Sequence, residues 1–300
     1  MKFIFTYSGS HDYDADMLET GAVTDVAIAA ERAGWHAIAF TEHPAPGARW
    51  LRNGGHQTLD PFVTLGAVAA VTSRLRLMTY LSVGPYRNPL LLAKTAATVD
   101  KLSGGRMVLG VGTGYLQGEF RALGIPFDER NELFDEMLEV LPMHWSGEPF
   151  SYEGKHFTAK DIIARPAPVQ RPIPIWIGGN STLTLRRVAE RAQGWMPMLG
   201  SEQLAKTARS PHIGSLEQLA ERIEVLHEMA GDRFADLDLI VSYHDPSVSD
   251  FGTDRQRHLE QIEHLRSLGI THLTLGGPHL PAPAAEEFIA AFGETYITGQ

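Results

Sequence analysis

Short apolar segments with strand character alternate with helical segments eight times along this chain of 300 residues. The predicted strands cover residues 2–6, 37–40, 75–81, 107–111, 174–177, 194–198, 237–242 and 271–275. A series of eight strand–helix units of one type favours a closed (β/α)8 TIM barrel over an open doubly wound sheet, which usually has five or six strands. The length suits such a barrel with room for insertions.

One stretch, residues 146–173, interrupts this alternation. Its segment PFSYEGKHFTA predicts a small hairpin turning at Glu153-Gly154, and a proline-rich run from Pro166 to Pro174 follows. Because the stretch is short, we interpret it as an insertion between the fourth and fifth barrel strands. The prediction is therefore one domain over residues 1–300.

The composition excludes several classes of protein. The chain has no cysteine, which rules out disulfides, thiolate metal sites and a cysteine nucleophile. The formal net charge is −10 and no basic run occurs, so we expect no nucleic-acid surface. No run of 18 apolar residues and no secretory signal are present, which predicts a cytoplasmic protein without membrane association. A Gly-x-Ser-x-Gly motif, typical of serine hydrolases, is absent.

Active sites of such barrels lie at the carboxyl ends of the strands. The residues that follow the predicted strands here are unusually polar or glycine-rich. They are Tyr7, Ser8, Glu42, His43, Thr79, Tyr80, Ser82, Gly112, Thr113, Gly114, Tyr115, Gly178, Gly179, Asn180, Ser181, Met196, Met198, Tyr243, His244, Gly276 and Gly277. We take these residues as the candidates for binding and catalysis.

Two of these strand ends run directly into glycine loops, which allow a backbone to approach a ligand closely. Gly112-Thr113-Gly114 follows the fourth strand, and Gly178-Gly179-Asn180-Ser181 follows the fifth and precedes a helix. Backbone N–H groups, the Ser181 hydroxyl and the helix dipole predict a phosphate cradle at the second loop. The alternative is an ordinary turn in which Asn180 or Ser181 caps the helix. Together the loops suggest one cofactor.

His43 is the best single candidate for chemistry, because a histidine at a strand end can move protons near neutral pH. Alternatively, its ring only satisfies loop backbone before Pro44. A metal site built from Glu42, His43, His56 and Asp60 matches no recurrent ligand spacing, so we predict no metal.

The tryptophans divide into two groups. Trp176 and Trp195 lie in or beside apolar strands, which predicts core packing. Trp50 lies in a glycine-rich loop between Arg49 and Arg52 and is a candidate to cover a bound ring.

Along nearly its whole length the chain resembles the bacterial-luciferase-like superfamily of flavin and deazaflavin oxidoreductases. The motifs that carry the resemblance are Thr41-Glu42-His43, Leu59-Asp60-Pro61-Phe62, Arg87-Asn88-Pro89 with Ala93-Lys94, Leu102-Ser103-Gly104-Gly105-Arg106, Gly110-Val111-Gly112-Thr113-Gly114-Tyr115, Glu119-Phe120, Pro174-Ile175-Trp176-Ile177-Gly178-Gly179 and Gly194-Trp195. The resemblance implies a (β/α)8 barrel with an insertion, usually a homodimer, which holds its cofactor at the strand ends.

Within the superfamily, residues 87–89 and 110–120 look most like the branch that uses the deazaflavin coenzyme F420. That likeness implies hydride transfer between the deazaflavin and an unidentified small organic substrate. The alternative is an FMN-dependent monooxygenase served by a separate reductase; an F420 reductase is a further possible partner. A third hypothesis is a non-catalytic flavin-binding barrel.

The resemblance also implies roles for individual residues. His43 falls beside the reactive ring carbon, and Gly178 to Ser181 match the phosphate loop. Thr79 and Tyr80 match a strand end at which many members carry a non-proline cis peptide supporting the ring, and we count Ser82 with these cofactor contacts.

Tyr115 departs from the family pattern. It stands where the family's sugar-phosphate dehydrogenases carry a glutamate proton donor, which argues against a sugar-phosphate substrate. Tyr115 is therefore a candidate proton donor or a hydrogen-bonding wall.

The deazaflavin carries an anionic glutamate tail and needs a basic exit groove. Arg49, Arg52, Arg87 and Lys94 are the candidates for that groove. The segment 203–214 is either a mobile lid or a linker.

Overall fold

Eight parallel strands close into a barrel in the computed structural model, which describes residues 1–7, 18, 21–249, 253–276 and 282–298. The strands are β1 Lys2–Tyr7, β2 Ala37–Phe40, β3 Arg76–Thr79, β4 Ser82–Val83, β5 Met107–Gly112, β6 Phe150–Glu153, β7 Thr158–Ile162, β8 Ile175–Gly178, β9 Gly194–Met196, β10 Asp238–Ser242 and β11 His272–Gly276. Their order in the sheet is β3, β2, β1, β11, β10, β9, β8, β5, and pairing of β5 with β3 closes it. The predicted TIM barrel is confirmed; Ser8 and Gly277 lie outside the described residues.

Helices follow the strands as the alternation predicts. They are α1 Val23–Arg32, α2 Ala48–Arg52, α3 Pro61–Val71, α4 Pro89–Ser103, α5 Gln117–Ala122, α6 Arg130–Trp145, α7 Thr182–Arg191, α8 Glu202–Thr207, α9 Leu216–Ala230, α10 Arg255–Ser267 and α11 Ala282–Phe292. Local chemistry fixes their starts: Asp60 accepts from the N–H groups of Phe62 and Val63 to begin α3, and Asn88 caps α4 before Pro89. None of the helices in the described part of the chain is long and apolar enough to span a bilayer.

The insertion lies where it was predicted, between the fourth and fifth barrel strands, β5 and β8. Its strands β6 and β7 pair antiparallel. The buried carboxylate of Glu136 on α6 accepts from the N–H groups of His156 (3.0 Å) and Phe157 (3.2 Å) in the hairpin turn. The buried Asp100 on α4 likewise accepts from Val169 and Gln170 in the proline-rich run. Two helices thus anchor the insertion through buried carboxylates.

Side chains fill the barrel interior and separate its two ends. Ile4, Met78, Val108 and Ile240 meet there around Trp176, whose indole lies where a side chain on Gly194 would otherwise be. Trp195 points the other way, into the layer between strands and helices. Both tryptophans are core residues, as predicted.

The third barrel strand is predicted as one strand over residues 75–81, but the structure divides this region into β3 and β4. The ladder from β3 to β5 stops after Met78, a cis peptide joins Tyr80 to Leu81, and pairing resumes at Ser82 opposite Val111. The side chain of Leu81 projects from this interruption and would lie 2.7 Å from a Cβ on Gly112. Glycine at position 112 thus leaves room for the Leu81 side chain, and the non-proline cis peptide implied by the resemblance is present.

Two short helices lie in segments predicted as loops. α2 forms within the glycine-rich stretch after β2, and α8 forms in the segment after β9. Ser201 supplies the signal for α8, because its hydroxyl accepts from the N–H of Leu204.

Replacing Gly110 with alanine tests the packing at this turn. An added Cβ would overlap the carbonyl oxygen of Thr79, a backbone atom that cannot rotate away. We expect Gly110→Ala to lower the free energy of unfolding by about 2 kcal/mol or more, measured by denaturant titration.

The matched control is Gly66→Ala within α3, where a Cβ meets nothing within 4 Å. It should be neutral or stabilise by up to about 1 kcal/mol. Equal stability of Gly110→Ala and the wild type would contradict the close approach of the Thr79 carbonyl to Gly110.

Candidate functional site

A cavity of about 320 Å³ opens at the carboxyl ends of the barrel strands. It brings together ten of the twelve residues for which the sequence predicts a catalytic or cofactor-binding role. Those that line it are His43, Tyr80, Gly112, Thr113, Gly114, Tyr115, Gly178, Gly179, Asn180 and Ser181. The other two, Thr79 and Ser82, lie buried behind the wall: Thr79 donates to the carbonyl of Gly110 (2.7 Å) and Ser82 donates to Glu42 (2.6 Å).

His43 is held from behind by a buried carboxylate. Its Nδ1 lies 3.1 Å from Oε2 of Glu119, and its backbone N–H donates to the hydroxyl of Thr58 (2.8 Å). The Nε2 atom makes no hydrogen bond to any other described residue, while the ring borders the cavity. An anionic partner at Nδ1 places the proton there and leaves the Nε2 lone pair for a ligand.

Glu119, at the start of α5, is fully buried and accepts three hydrogen bonds. Besides His43, the donors are the backbone N–H of Ala45 (3.1 Å) and the hydroxyl of Tyr86 (2.9 Å). Burial alone would raise the pKa of the Glu119 carboxyl, but these donors outweigh it and hold the pKa below its usual value. Sequence reasoning gave Glu119 no role; Glu119-Phe120 was only one of the motifs of the resemblance.

Tyr115 stands with its ring edge toward His43, at a centroid distance of 6.0 Å. Burial, aided by the negative charge of Glu119, raises the pKa of Tyr115 to about 12. The phenol therefore stays protonated at neutral pH and offers a hydrogen-bond donor. Of the two expected roles, this favours a hydrogen-bonding wall.

Trp50 packs on His43 rather than over the cavity. Their rings are 4.7 Å apart, and His56 lies 5.1 Å from His43 and 5.4 Å from Trp50. The structure therefore places Trp50 behind the histidine, where it fixes the plane of the imidazole.

Arg87 ties two carboxylates together at the cavity wall. Its guanidinium donates to Oε1 of Glu42 (2.6 Å) and to Oδ2 of Asp60 (2.8 Å), while the other Glu42 oxygen accepts from Ser82 and from the N–H of Val83. All three charged groups are thus engaged with one another. Arg87 is not available for the predicted basic groove, and Lys94 is bound instead to the carbonyl of Arg165 in the insertion.

Asn180 and Ser181 are largely engaged in holding the second glycine loop. The Asn180 carboxamide donates to the carbonyls of Met198 and Pro211, both at 2.8 Å, and accepts from the N–H of Met198. Ser181 accepts from the N–H of Thr184 and so caps α7. Ser181 is thus the cap of α7, as the ordinary alternative has it, while the Asn180 side chain binds Met198 and Pro211 instead. The first turn of α7 still presents N–H groups that lack intrahelical acceptors.

One wall of the cavity comes from residues that sequence reasoning left undecided. Leu204 of α8, Ala208 and Arg209 line the cavity, although the segment 203–214 was predicted only as a lid or linker. The bonds of Asn180 to Met198 and Pro211 hold the chain on either side of α8. Ser242 and His244, after β10, also line the cavity, and Ser242 lies 2.8 Å from the Tyr80 hydroxyl.

The donors around this cavity fit a flavin-type cofactor. Leu81, Val83 and Met196 offer apolar surface, His43 and Tyr115 offer polar atoms to a ring, and the first turn of α7 offers N–H groups to a phosphate. Within the described ranges, Arg209 is the lone guanidinium or ammonium group among the lining residues.

Comparison with known proteins agrees with this geometry. Residues 1–212 match the family model described as luciferase-like monooxygenase. An uncharacterized protein of Mycobacterium tuberculosis is 38% identical over 51% of this chain, and the match spans about half of that relative, 55% of its length. An F420-dependent glucose-6-phosphate dehydrogenase from Microbacterium testaceum is 28% identical over 91% of both proteins. An FMNH2-dependent dimethylsulfone monooxygenase from Pseudomonas putida is 33% identical over 55% of this chain and 45% of that enzyme.

Solved structures share the fold. The monooxygenase RslO1 from Streptomyces bottropensis superposes with a TM-score of 0.79 at 21% identity, covering 100% of this chain and 99% of that one. The coenzyme F420-dependent tetrahydromethanopterin reductase from Methanopyrus kandleri gives a TM-score of 0.69 at 19% identity, with 99% and 98% covered. The family match and the barrel agree: this chain belongs to the luciferase-like monooxygenase family.

Proposed function

We propose that the protein is a coenzyme F420-dependent oxidoreductase that transfers hydride between the deazaflavin and an uncharged organic substrate. The observation that carries the proposal is the His43–Glu119 pair, which presents a fixed imidazole Nε2 to the cavity. The dehydrogenase relative named as F420-dependent matches over 91% of this chain, whereas the FMNH2-dependent relative matches over 55%, which supports F420.

Each lining group has a defined task in this proposal. The N–H groups in the first turn of α7 bind the phosphate, and the apolar side chains of Leu81 and Met196 pack against the ring. Bound coenzyme F420 supplies a ring carbon that gives or accepts hydride. His43 Nε2 accepts a proton from a substrate hydroxyl or returns it, since Nδ1 keeps its own proton on Glu119. Tyr115 donates a hydrogen bond at the wall.

The charges around the cavity support an uncharged substrate. Apart from Arg209, no lysine or arginine is found among the lining residues in the described part of the chain. A phosphorylated substrate in addition to a phosphorylated cofactor needs a second cationic group. Tyr115, with its high pKa, stands where a sugar-phosphate dehydrogenase has a stronger acid.

An FMN-dependent monooxygenase with a separate reductase is the second candidate. It is favoured by the Pseudomonas putida relative, and the same loops suit an FMN phosphate. A non-catalytic flavin-binding barrel has no use for a buried carboxylate that fixes the proton of a cavity histidine, which argues against that hypothesis.

Titration of the apoprotein with F420 and with FMN tests the proposal. The Trp50 ring packs at a tilt against His43 beside the cavity and should report binding through intrinsic fluorescence. We expect F420 to bind at least tenfold more tightly than FMN. Tighter binding of FMN would favour the monooxygenase, and binding of neither would overturn the cofactor assignment.

Glu119→Gln tests the buried pair. Replacing a carboxylate that accepts three hydrogen bonds with a neutral amide should cost about 1–3 kcal/mol of unfolding free energy at pH 7. The pKa of Glu119 is lowered in the folded state, so its contribution is present above the ordinary glutamate value of 4.5 and is lost as the pH falls below it. Denaturant unfolding between pH 7 and 3 measures both effects.

Glu190→Gln on α7 is the matched control, since Glu190 is exposed and has no hydrogen-bond partner among the described residues. It should leave stability within about 0.5 kcal/mol of the wild type. A pH-independent effect of Glu119→Gln would contradict an ionised Glu119.

We further propose that the chain forms a homodimer through α3 and α4. Val63 on α3 and Leu91 on α4 are 76% and 67% exposed, and α3 has no charged residue on any face. A helix apolar on all sides is expected to be covered on all sides.

Sedimentation velocity at micromolar concentration should show a dimer for the wild type and a monomer for Leu91→Glu. Met229→Glu on α9, where the side chain is 40% exposed, is the control and should remain dimeric. A monomeric wild type would contradict the proposal, and a dimeric Leu91→Glu variant would place the interface elsewhere.

A further inference from the structure

We propose that Arg209, Phe127 and Arg130 form a binding site for the anionic tail of the deazaflavin, its phosphate and glutamate carboxylates, where that tail leaves the cavity. This inference rests on the proposed function. It assigns the basic exit to residues other than Arg49, Arg52, Arg87 and Lys94.

Two guanidinium groups lie over one phenyl ring. The Cζ atoms of Arg130 and Arg209 are 4.0 Å and 5.0 Å from the centroid of Phe127. Arg130 is further fixed by donation from Nη1 to the carbonyl of Phe127 (3.0 Å). Phe127 packs edge-on against the buried Phe120 at 5.0 Å, next to Glu119. The ring of Phe127 and the two guanidinium groups on it are therefore anchored to α5, the helix whose Glu119 holds His43.

The two positive charges are only weakly compensated by the residues that the structure describes. Neither Arg130 nor Arg209 forms an ion pair within 4 Å among the residues that the structure describes. Partial burial and the charge of Arg209 lower the pKa of Arg130, and the nearby Asp128 only partly opposes them. Like charges held on one ring repel each other, so an anion between them would relieve the repulsion.

The position of Arg209 connects the ring of Phe127 to the cavity. Arg209 lines the cavity, and the next residue, Ser210, accepts from the N–H of Asn180 in the proposed phosphate loop (3.2 Å). The backbone of Arg209 has a φ of 52°, in the left-handed region that an L residue rarely adopts. Arg130 does not line the cavity. A ligand chain that leaves the cavity therefore meets Arg209 at the wall, and Arg130 lies on the same phenyl ring of Phe127.

This arrangement distinguishes the two candidate cofactors. FMN ends at a single phosphate, which the first turn of α7 can hold, whereas F420 continues into several carboxylates. Guanidinium groups bind both phosphate and carboxylate in bidentate fashion. The pair should thus add affinity for F420 and little for FMN.

The experiment compares coenzyme F420 with 8-hydroxy-5-deazariboflavin, which has the same ring but neither phosphate nor glutamates. Both are titrated into the wild-type chain, Arg209→Gln and Arg130→Gln by tryptophan fluorescence at low and high salt. We expect wild type to bind F420 more tightly than the truncated compound, with the difference reduced by salt. Each variant should bind F420 about tenfold more weakly and bind the truncated compound as wild type does.

Arg74→Gln is the matched control, because Arg74 is exposed at the opposite, amino-terminal end of the barrel and the charge change is the same. It should leave both affinities unchanged. If wild type binds the two compounds equally, or if the variants keep wild-type affinity for F420, the tail site is wrong while the proposed function stands. An equal loss of both compounds would show a structural role, and failure of wild type to bind either would overturn the proposed function and this inference with it.

Discussion

The buried carboxylate of Glu119 organises the candidate site. Its two oxygens receive the ring of His43, the N–H of Ala45 and the hydroxyl of Tyr86, which come from the loop after β2 and the turn after β4. A buried anion needs donors of this kind to offset the cost of leaving water. Satisfying Glu119 therefore fixes the imidazole, and the imidazole then presents one defined atom to the cavity.

A second buried carboxylate, that of Glu42, precedes His43 directly in the chain but has a different role. Glu42 is fully bonded to Arg87, Ser82 and Val83, so it joins the end of β2 to β4 and presents no free oxygen to a ligand. Two adjacent residues, Glu42 and His43, thus separate the tasks of building the wall and meeting the ligand. The partner of each, not its residue type, decides which task it has.

The sequence predicted the barrel and most of the cavity lining because both follow from periodicity and from residues that directly follow strands. It did not predict Glu119, which lies inside a short helix and reaches His43 across 76 residues of chain. Nor did it predict Arg209, because that residue comes after α8 and not directly after a strand. Arg87 and Lys94 were assigned to a groove by charge alone, whereas their actual partners, Glu42, Asp60 and the Arg165 carbonyl, depend on tertiary contacts.

In the proposed function, Glu119 holds the proton on Nδ1 of His43, and Nε2 faces the reaction site beside the deazaflavin. Nitrogen-15 NMR of the His43 ring tests this arrangement most directly, with and without bound F420 and with His43→Gln to assign the signals. The account predicts a protonated Nδ1 in both states and a change of the Nε2 resonance when F420 binds. A proton on Nε2 in the free protein, or an Nε2 signal that F420 leaves unchanged, would contradict it.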